Sequence, residues 1–181
     1  QAYRNILSAL GVEPVVVETG IVDRFQPTPG IIEDIADDLD GLIVASPSNP
    51  TGTMIGDPEM RSLTDLARRK SVRFISDEIY HGITYGHDAV TALAHDDEAI
   101  VINSFSKYFS MTGWRLGWMV VPEDMLRSIE CLSQNFFISP PTLSQIAGMA
   151  VFDCREELEA IVQGYAKNRA LLLRELPKAG F

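Results

Sequence analysis

The chain has 181 residues, 46% of them hydrophobic and 22% charged, with a formal net charge of −10. That length suits one well-formed core burying roughly 70% of the unfolded surface, and the composition is far from that of disordered chains. The negative charge argues against nucleic acid as a partner, because phosphate binding needs a basic field. Any anion site must therefore be local. Cys131 and Cys154 are the only cysteines and do not form a C-x-x-C pair, so neither a disulfide framework nor a zinc site is suggested, and a reducing, cytoplasmic setting is expected. No apolar run approaches the ~18 residues of a membrane span, and no basic-then-apolar leader pattern opens the sequence. The first residues, QAYRNILSALG, begin in mid-pattern without Met, as in part of a longer chain.

In chain order, residues 3–10 have helical spacing and stop at Gly11, a natural residue just past a helix end. PVVVE at 14–18 then reads as a short buried strand. After the QPTPG loop, IIEDIADDLD reads as a short acidic helix, and GLIVAS at 41–46 as a strand that is apolar on both faces, the parallel-sheet kind. SPSNPTG at 46–52 is loop. Asp57-Pro58 starts a helix with Pro in its first turn; the helix runs to about Lys70, with Arg68, Arg69 and Lys70 complementing the dipole at its end. SVRFISDEIY and AIVINSFSK supply two more strands, and RLGWMVVP a last one. Residues 123–134, 140–153 and 155–175 read as helices.

The predicted class is α/β: a three-layer α/β/α arrangement around a mostly parallel sheet whose last strand is antiparallel. Three strands are each followed by a polar cluster, SPSNPTG, then SDEIY, then SFSK. In an open sheet with crossover helices such clusters line the carboxyl edge, where ligands bind.

A lysine after a strand is usually solvated, but Lys107 has unusual company. Ser104 and Ser106 precede it and Arg115 follows a Gly-containing turn. Nearby cations and partial burial lower a lysine pKa towards what a Schiff-base nucleophile needs. A guanidinium with two hydroxyls suits a phosphate. Asp77, ending a buried strand, is either a cap for the next element or a carboxylate that holds a proton on a heterocyclic nitrogen. Tyr80 reaches the same region, or is a packed aromatic with a wet hydroxyl. Asn49 lies in a run of turn dipeptides, and its amide can donate to a phenolate-like oxygen. His81, His87 and His95 have neither helical nor compact metal-site spacing; they are expected at the surface, His81 nearest the cleft.

The run Ser104-x-Ser106-Lys107-x5-Gly113-x-Arg115-x-Gly117, with NPTG at 49–52 and SDEIY at 76–80, resembles the class I/II aminotransferases, which are fold type I pyridoxal-phosphate enzymes. The resemblance extends over essentially the whole chain, including the SPPTLSQIAGMAVF helix. It implies pyridoxal 5'-phosphate as cofactor, joined to Lys107 as a Schiff base, with Lys107 later shuttling a proton between the substrate's α-carbon and the cofactor. It further implies that Asp77 pairs with the pyridinium nitrogen, that Asn49 and Tyr80 hydrogen-bond the ring's 3′-oxygen, and that Ser104, Ser106 and Arg115 hold the phosphate. The implied catalytic residues are Lys107, Asp77 and Tyr80. The implied activity is two-stage transfer of an amino group from an amino acid to a 2-oxo acid, in a homodimer.

The departures from that family pattern set the expected boundaries. The family's upstream phosphate loop and ring-stacking aromatic have no matching position, and LPKAGF resembles the opening of a second, smaller domain. Residues 1–181 are thus expected to be a partial large domain, with 155–181 leading into the small one, and PVVVE to lack its sheet neighbour. The same scaffold also serves C–S lyases, decarboxylases and cyclising synthases, and a non-catalytic effector-binding module of a transcriptional regulator is a further alternative.

Overall fold

The computed structural model describes residues 2–35 and 39–181. Four strands, β1 (Gly41–Ala45), β2 (Arg73–Asp77), β3 (Ile100–Ser104) and β4 (Gly117–Val120), form one sheet in the order β1-β2-β3-β4. The first three are parallel and β4 runs antiparallel to β3, as the sequence predicts. The parallel pairs require crossovers. Helix α3 (Asp57–Arg69) makes the first, whereas β3 meets β4 through the irregular segment 105–116 that carries the lysine motif.

Helix α3 shows why this half of the molecule is well determined. Pro58 occupies its first turn, Asp57 and Glu59 face the positive end of the dipole, and Arg68 and Arg69 the negative end. Met60, Leu63, Leu66 and Ala67 recur at helical spacing and are buried against Phe74 of β2, Val44 of β1 and Val101 of β3. Burying each large side chain contributes roughly 1.5–3 kcal/mol, so this stripe fixes where the carboxyl ends of the strands lie. The short helix α2 (Pro29–Glu33), capped by the Thr28 hydroxyl, adds Ile32 to the same core. The acidic helix expected from residue 31 therefore starts two residues earlier and ends at Glu33; residues 36–38 of that expectation lie outside the described residues.

PVVVE is not a strand. Residues 12–20 are irregular, and Val15 and Val16 are 55% and 61% exposed. The apolar run has strand propensity, but a strand exists only where a neighbour takes its backbone hydrogen bonds, and among the described residues β1 pairs with β2 alone. Helix α1 (Ala2–Ala9) ends before Gly11 as predicted. The remaining helices are α4 (Glu123–Phe136), α5 (Thr142–Ala150), continued by a 3-10 turn at Val151–Asp153, and α6 (Arg155–Glu175). No helix among the described residues is long and apolar enough to cross a membrane.

Candidate active site

Asp77 is the last residue of β2, flanked by Ala45 of β1 and Ile102 of β3. Asn49 follows β1 by four residues and Lys107 follows β3 by three. The parallel register alone thus gathers three chemically distinct side chains along one carboxyl edge. In β2 the burial alternates: Phe74 and Ser76 point into the core, leaving Asp77 on the half-buried side.

Side-chain contacts bring most of the predicted residues together. Asn49 Nδ2 donates to the Tyr80 hydroxyl at 3.2 Å. That hydroxyl accepts through oxygen, so its own hydrogen is free to donate elsewhere. The Lys107 ammonium lies over the Tyr80 ring, Nζ 5.2 Å from the centroid, within cation–π range. Tyr80 therefore connects the loop after β1 with the lysine turn.

The anion-binding candidates form a second group. Ser104 Oγ accepts the Ser106 amide at 3.1 Å and donates to the Leu116 carbonyl at 3.4 Å. Thr112 Oγ1 donates to the Ser106 carbonyl at 2.6 Å, and Arg115 Nη1 to the Thr112 carbonyl at 3.2 Å. Ser104, Ser106 and Arg115 thus belong to one hydrogen-bonded turn. Behind it, Phe105, Phe109, Trp118 and Phe152 pack edge-on or tilted with centroids 5.0–6.2 Å apart, which anchors the backbone on either side of Lys107. Gly117 has a steric reason: a Cβ there would lie 2.8 Å from the Asn103 carbonyl across the β3–β4 pair.

Tyr3 is a site residue that the sequence reading missed. Its hydroxyl donates to Asp77 Oδ2 across 74 positions, while Asp77 Oδ1 accepts the Ile79 amide at 3.2 Å. Partial burial, then the hydrogen bond to Asp77 and its charge, push the Tyr3 phenol above its ordinary value. Tyr3 therefore stays a donor and orients the carboxylate. Tyr108 follows Lys107 directly; its hydroxyl donates to Glu159 of α6 at 2.6 Å, and that bond first, then burial, raises its pKa. The expectation of surface histidines is corrected in two cases. The His95 side chain is 6% exposed and its Nε2 lies 2.9 Å from Asp57 Oδ1 at the start of α3; His81 is 20% exposed and engaged on both ring nitrogens.

A cavity of about 330 Å³ adjoins this edge, bordered by Asn49 and Tyr80 together with Met54, Tyr85 and Arg169. Lys107, Asp77 and Arg115 do not line it, so it flanks the predicted residues. The donor set fits pyridoxal phosphate chemically: an amine for an aldehyde, a carboxylate for a ring nitrogen, an amide and phenol for a ring oxygen, and hydroxyls with a guanidinium for a phosphate.

The chain as a whole matches a known family. The model for aminotransferase class I and II covers residues 1–181, and the chain belongs to that family. It is 47% identical to the valine–pyruvate aminotransferase of Mycobacterium tuberculosis across 98% of its own length and 47% of that protein's. Among solved structures, it resembles an aminotransferase from Mycobacterium tuberculosis at 46% identity and TM-score 0.95, covering 99% of this chain and 47% of that one. It also resembles the aspartate aminotransferase of Thermus thermophilus with maleate at 29% identity and TM-score 0.91, covering 99% and 48%. The chain spans about half the length of these relatives.

Proposed function

We propose that this chain is the cofactor-binding part of a pyridoxal-phosphate-dependent aminotransferase that moves an amino group from an amino acid to a 2-oxo acid. The observation that carries the reading is Tyr80, hydrogen-bonded to Asn49 and lying under the Lys107 ammonium: side chains following three different strands meet on one phenol. Residues 1–181 are then part of the large domain, with 155–181 leading to a small domain. A homodimer working in the cytoplasm fits Cys131 and Cys154 being free thiols. It also fits the run Phe136, Phe137 and Ile138, which is 73%, 77% and 82% exposed and calls for further polypeptide to cover it.

When bound, pyridoxal phosphate supplies an electron-accepting ring that stabilises negative charge developed at a substrate α-carbon. The chain's own residues do the rest. Asp77, held by Tyr3 and the Ile79 amide, keeps a proton on the ring nitrogen. The Tyr80 hydroxyl, with its oxygen occupied by Asn49, donates its hydrogen to the ring oxygen. Ser104, Ser106 and Arg115 bind the phosphate, a dianion suited to their donors. Lys107 would hold the cofactor through its amine and, with that amine free, Nζ would carry a proton between the substrate's α-carbon and the cofactor.

The test is a visible spectrum of the protein with pyridoxal phosphate before and after borohydride. A band that reduction fixes to the protein, and that Lys107→Ala abolishes, is expected; a band unchanged in Lys107→Ala overturns the assignment. Substrate turnover belongs to the full-length protein. Valine with pyruvate is the first pair to try, given the named relative; release of thiol, ammonia and pyruvate from a cysteine thioether, with no amino transfer from valine, would point instead to a lyase.

A further inference from the structure

Two loops carry the Asn49–Tyr80 pair, and their attachments differ. The loop after β1 is closed at its base by Gln26, itself only 7% exposed, whose Nε2 donates to the Ala45 carbonyl at 3.3 Å and the Thr53 carbonyl at 2.9 Å. Ser46, fully buried, accepts the Ile55 amide on its hydroxyl at 2.9 Å. These bonds hold the loop to itself and to β1. The turn after β2, which carries Tyr80, is joined to that loop by His81: Nε2 lies 3.1 Å from the Ser46 carbonyl. A carbonyl only accepts, so Nε2 carries a hydrogen. Nδ1 lies 3.5 Å from Oε2 of Glu78, a carboxylate 2% exposed whose other oxygen accepts the Ala92 amide at 2.8 Å. A buried carboxylate is retained only where its oxygens have partners, and here they span from the turn at residue 92 to the imidazole.

We propose that His81 is a positioning residue for the Asn49–Tyr80 pair, bracing the loop after β1 against the turn after β2 through the Ser46 carbonyl and Glu78. The link through Nε2 sets the separation of the two loops; Glu78 borders the Nδ1 edge of the ring. Neither histidine spacing nor the SDEIY motif marks this role, and it deepens the functional reading above because Asn49 and Tyr80 are cofactor-binding candidates there.

The geometry separates the two ring nitrogens experimentally. A glutamine amide reaches about as far as Nε2 and an asparagine amide about as far as Nδ1. His81→Gln therefore keeps a donor for Ser46, whereas His81→Asn places its amide near Glu78 and leaves the Ser46 carbonyl without that donor. Amide hydrogen exchange of residues 46–55, measured without cofactor and compared with exchange in β1, is the primary readout. Exchange in the loop is expected to speed up by up to about tenfold in His81→Ala and His81→Asn, the worth of one net hydrogen bond, with His81→Gln near wild type and β1 unchanged. Equal behaviour of the glutamine and asparagine variants, or a parallel rise in loop and β1, overturns the brace. The second readout, the apparent affinity for pyridoxal phosphate in the full-length protein, is expected to fall several-fold in the asparagine variant and to be restored by glutamine; the same affinity in both variants also overturns it. If wild type shows no cofactor band at all, the functional reading fails while the exchange result still decides the brace.

Discussion

Gly82 offers the sharpest test of how the lysine turn is held, because two separable costs meet there. Its φ is +86°, and a Cβ added to it would lie 2.5, 2.7 and 3.0 Å from Cδ2, Cγ and Cε2 of Tyr108. The left-handed backbone costs an alanine about 1–2 kcal/mol. Displacing the aromatic ring adds about 0.5–1.5 kcal/mol for an off-rotamer side chain, and about as much again if the hydroxyl loses Glu159. Gly82→Ala is therefore expected to destabilise by roughly 2–5 kcal/mol. Gly52 is the internal control: its φ is +67° and nothing lies within 4 Å of an added Cβ. Gly52→Ala is expected to cost only the backbone part, about 1–2 kcal/mol, and the entropy lost from the unfolded chain is common to both changes. With a urea m-value of about 2 kcal/mol/M, the midpoint measured by circular dichroism drops by about 1–2.5 M for Gly82→Ala and about 0.5–1 M for Gly52→Ala. Tyr108→Ala in the Gly82→Ala background isolates the ring contribution as a coupling energy. Equal costs for the two glycines, or no coupling to Tyr108, would refute the packing argument.

Tyr3→Phe removes the donor to Asp77 and is expected to cost about 1 kcal/mol, a bond to a charged acceptor discounted for partial exposure. Because the folded-state pKa of Tyr3 is raised above its ordinary 10.0, that difference is fully present below pH about 10 and shrinks above it as the phenol ionises in the unfolded chain; wild-type and Tyr3→Phe stability curves measured from pH 6 to 11 that stay parallel throughout would contradict this. Ser46→Ala leaves the Ile55 amide without its acceptor and is expected to cost about 1–3 kcal/mol, read as a lowered urea midpoint; an unchanged midpoint would mean the amide finds another partner. Leu63→Ala, at a fully buried position of α3, is expected to cost about 2–5 kcal/mol by the same assay.

What was legible in the sequence was what is local. Strands β1, β2 and β3 and helix α3 each carry their own signal: apolar runs bounded by turn residues, or a helical stripe with Pro58 at one end and Arg68 and Arg69 at the other. The candidate residues Asn49, Asp77, Tyr80, Ser104, Ser106, Lys107 and Arg115 were singled out because each ends or closely follows a strand or sits in the lysine turn. A strand end fixes a side chain's place without any knowledge of its partners. PVVVE failed for the opposite reason, since pairing is a property of the neighbour and not of the segment.

The same distinction explains Tyr3 and His81. Tyr3 lies on a helix none of whose residues is buried, and what makes it matter is a hydrogen bond to a residue 74 positions away; periodicity has nothing to say about that. His81 sits beside Tyr80 in the motif, yet its function in the fold depends on a carbonyl 35 positions earlier, a backbone group that every residue possesses and no sequence pattern can single out. The motif therefore names the groups that would touch a cofactor, while the groups that hold them in place are recruited wherever the fold brings a donor within reach. The prediction that His81→Gln but not His81→Asn preserves the loop tests that principle directly, since it asks whether reach to the Ser46 carbonyl, and not the identity of the imidazole, is what the site requires.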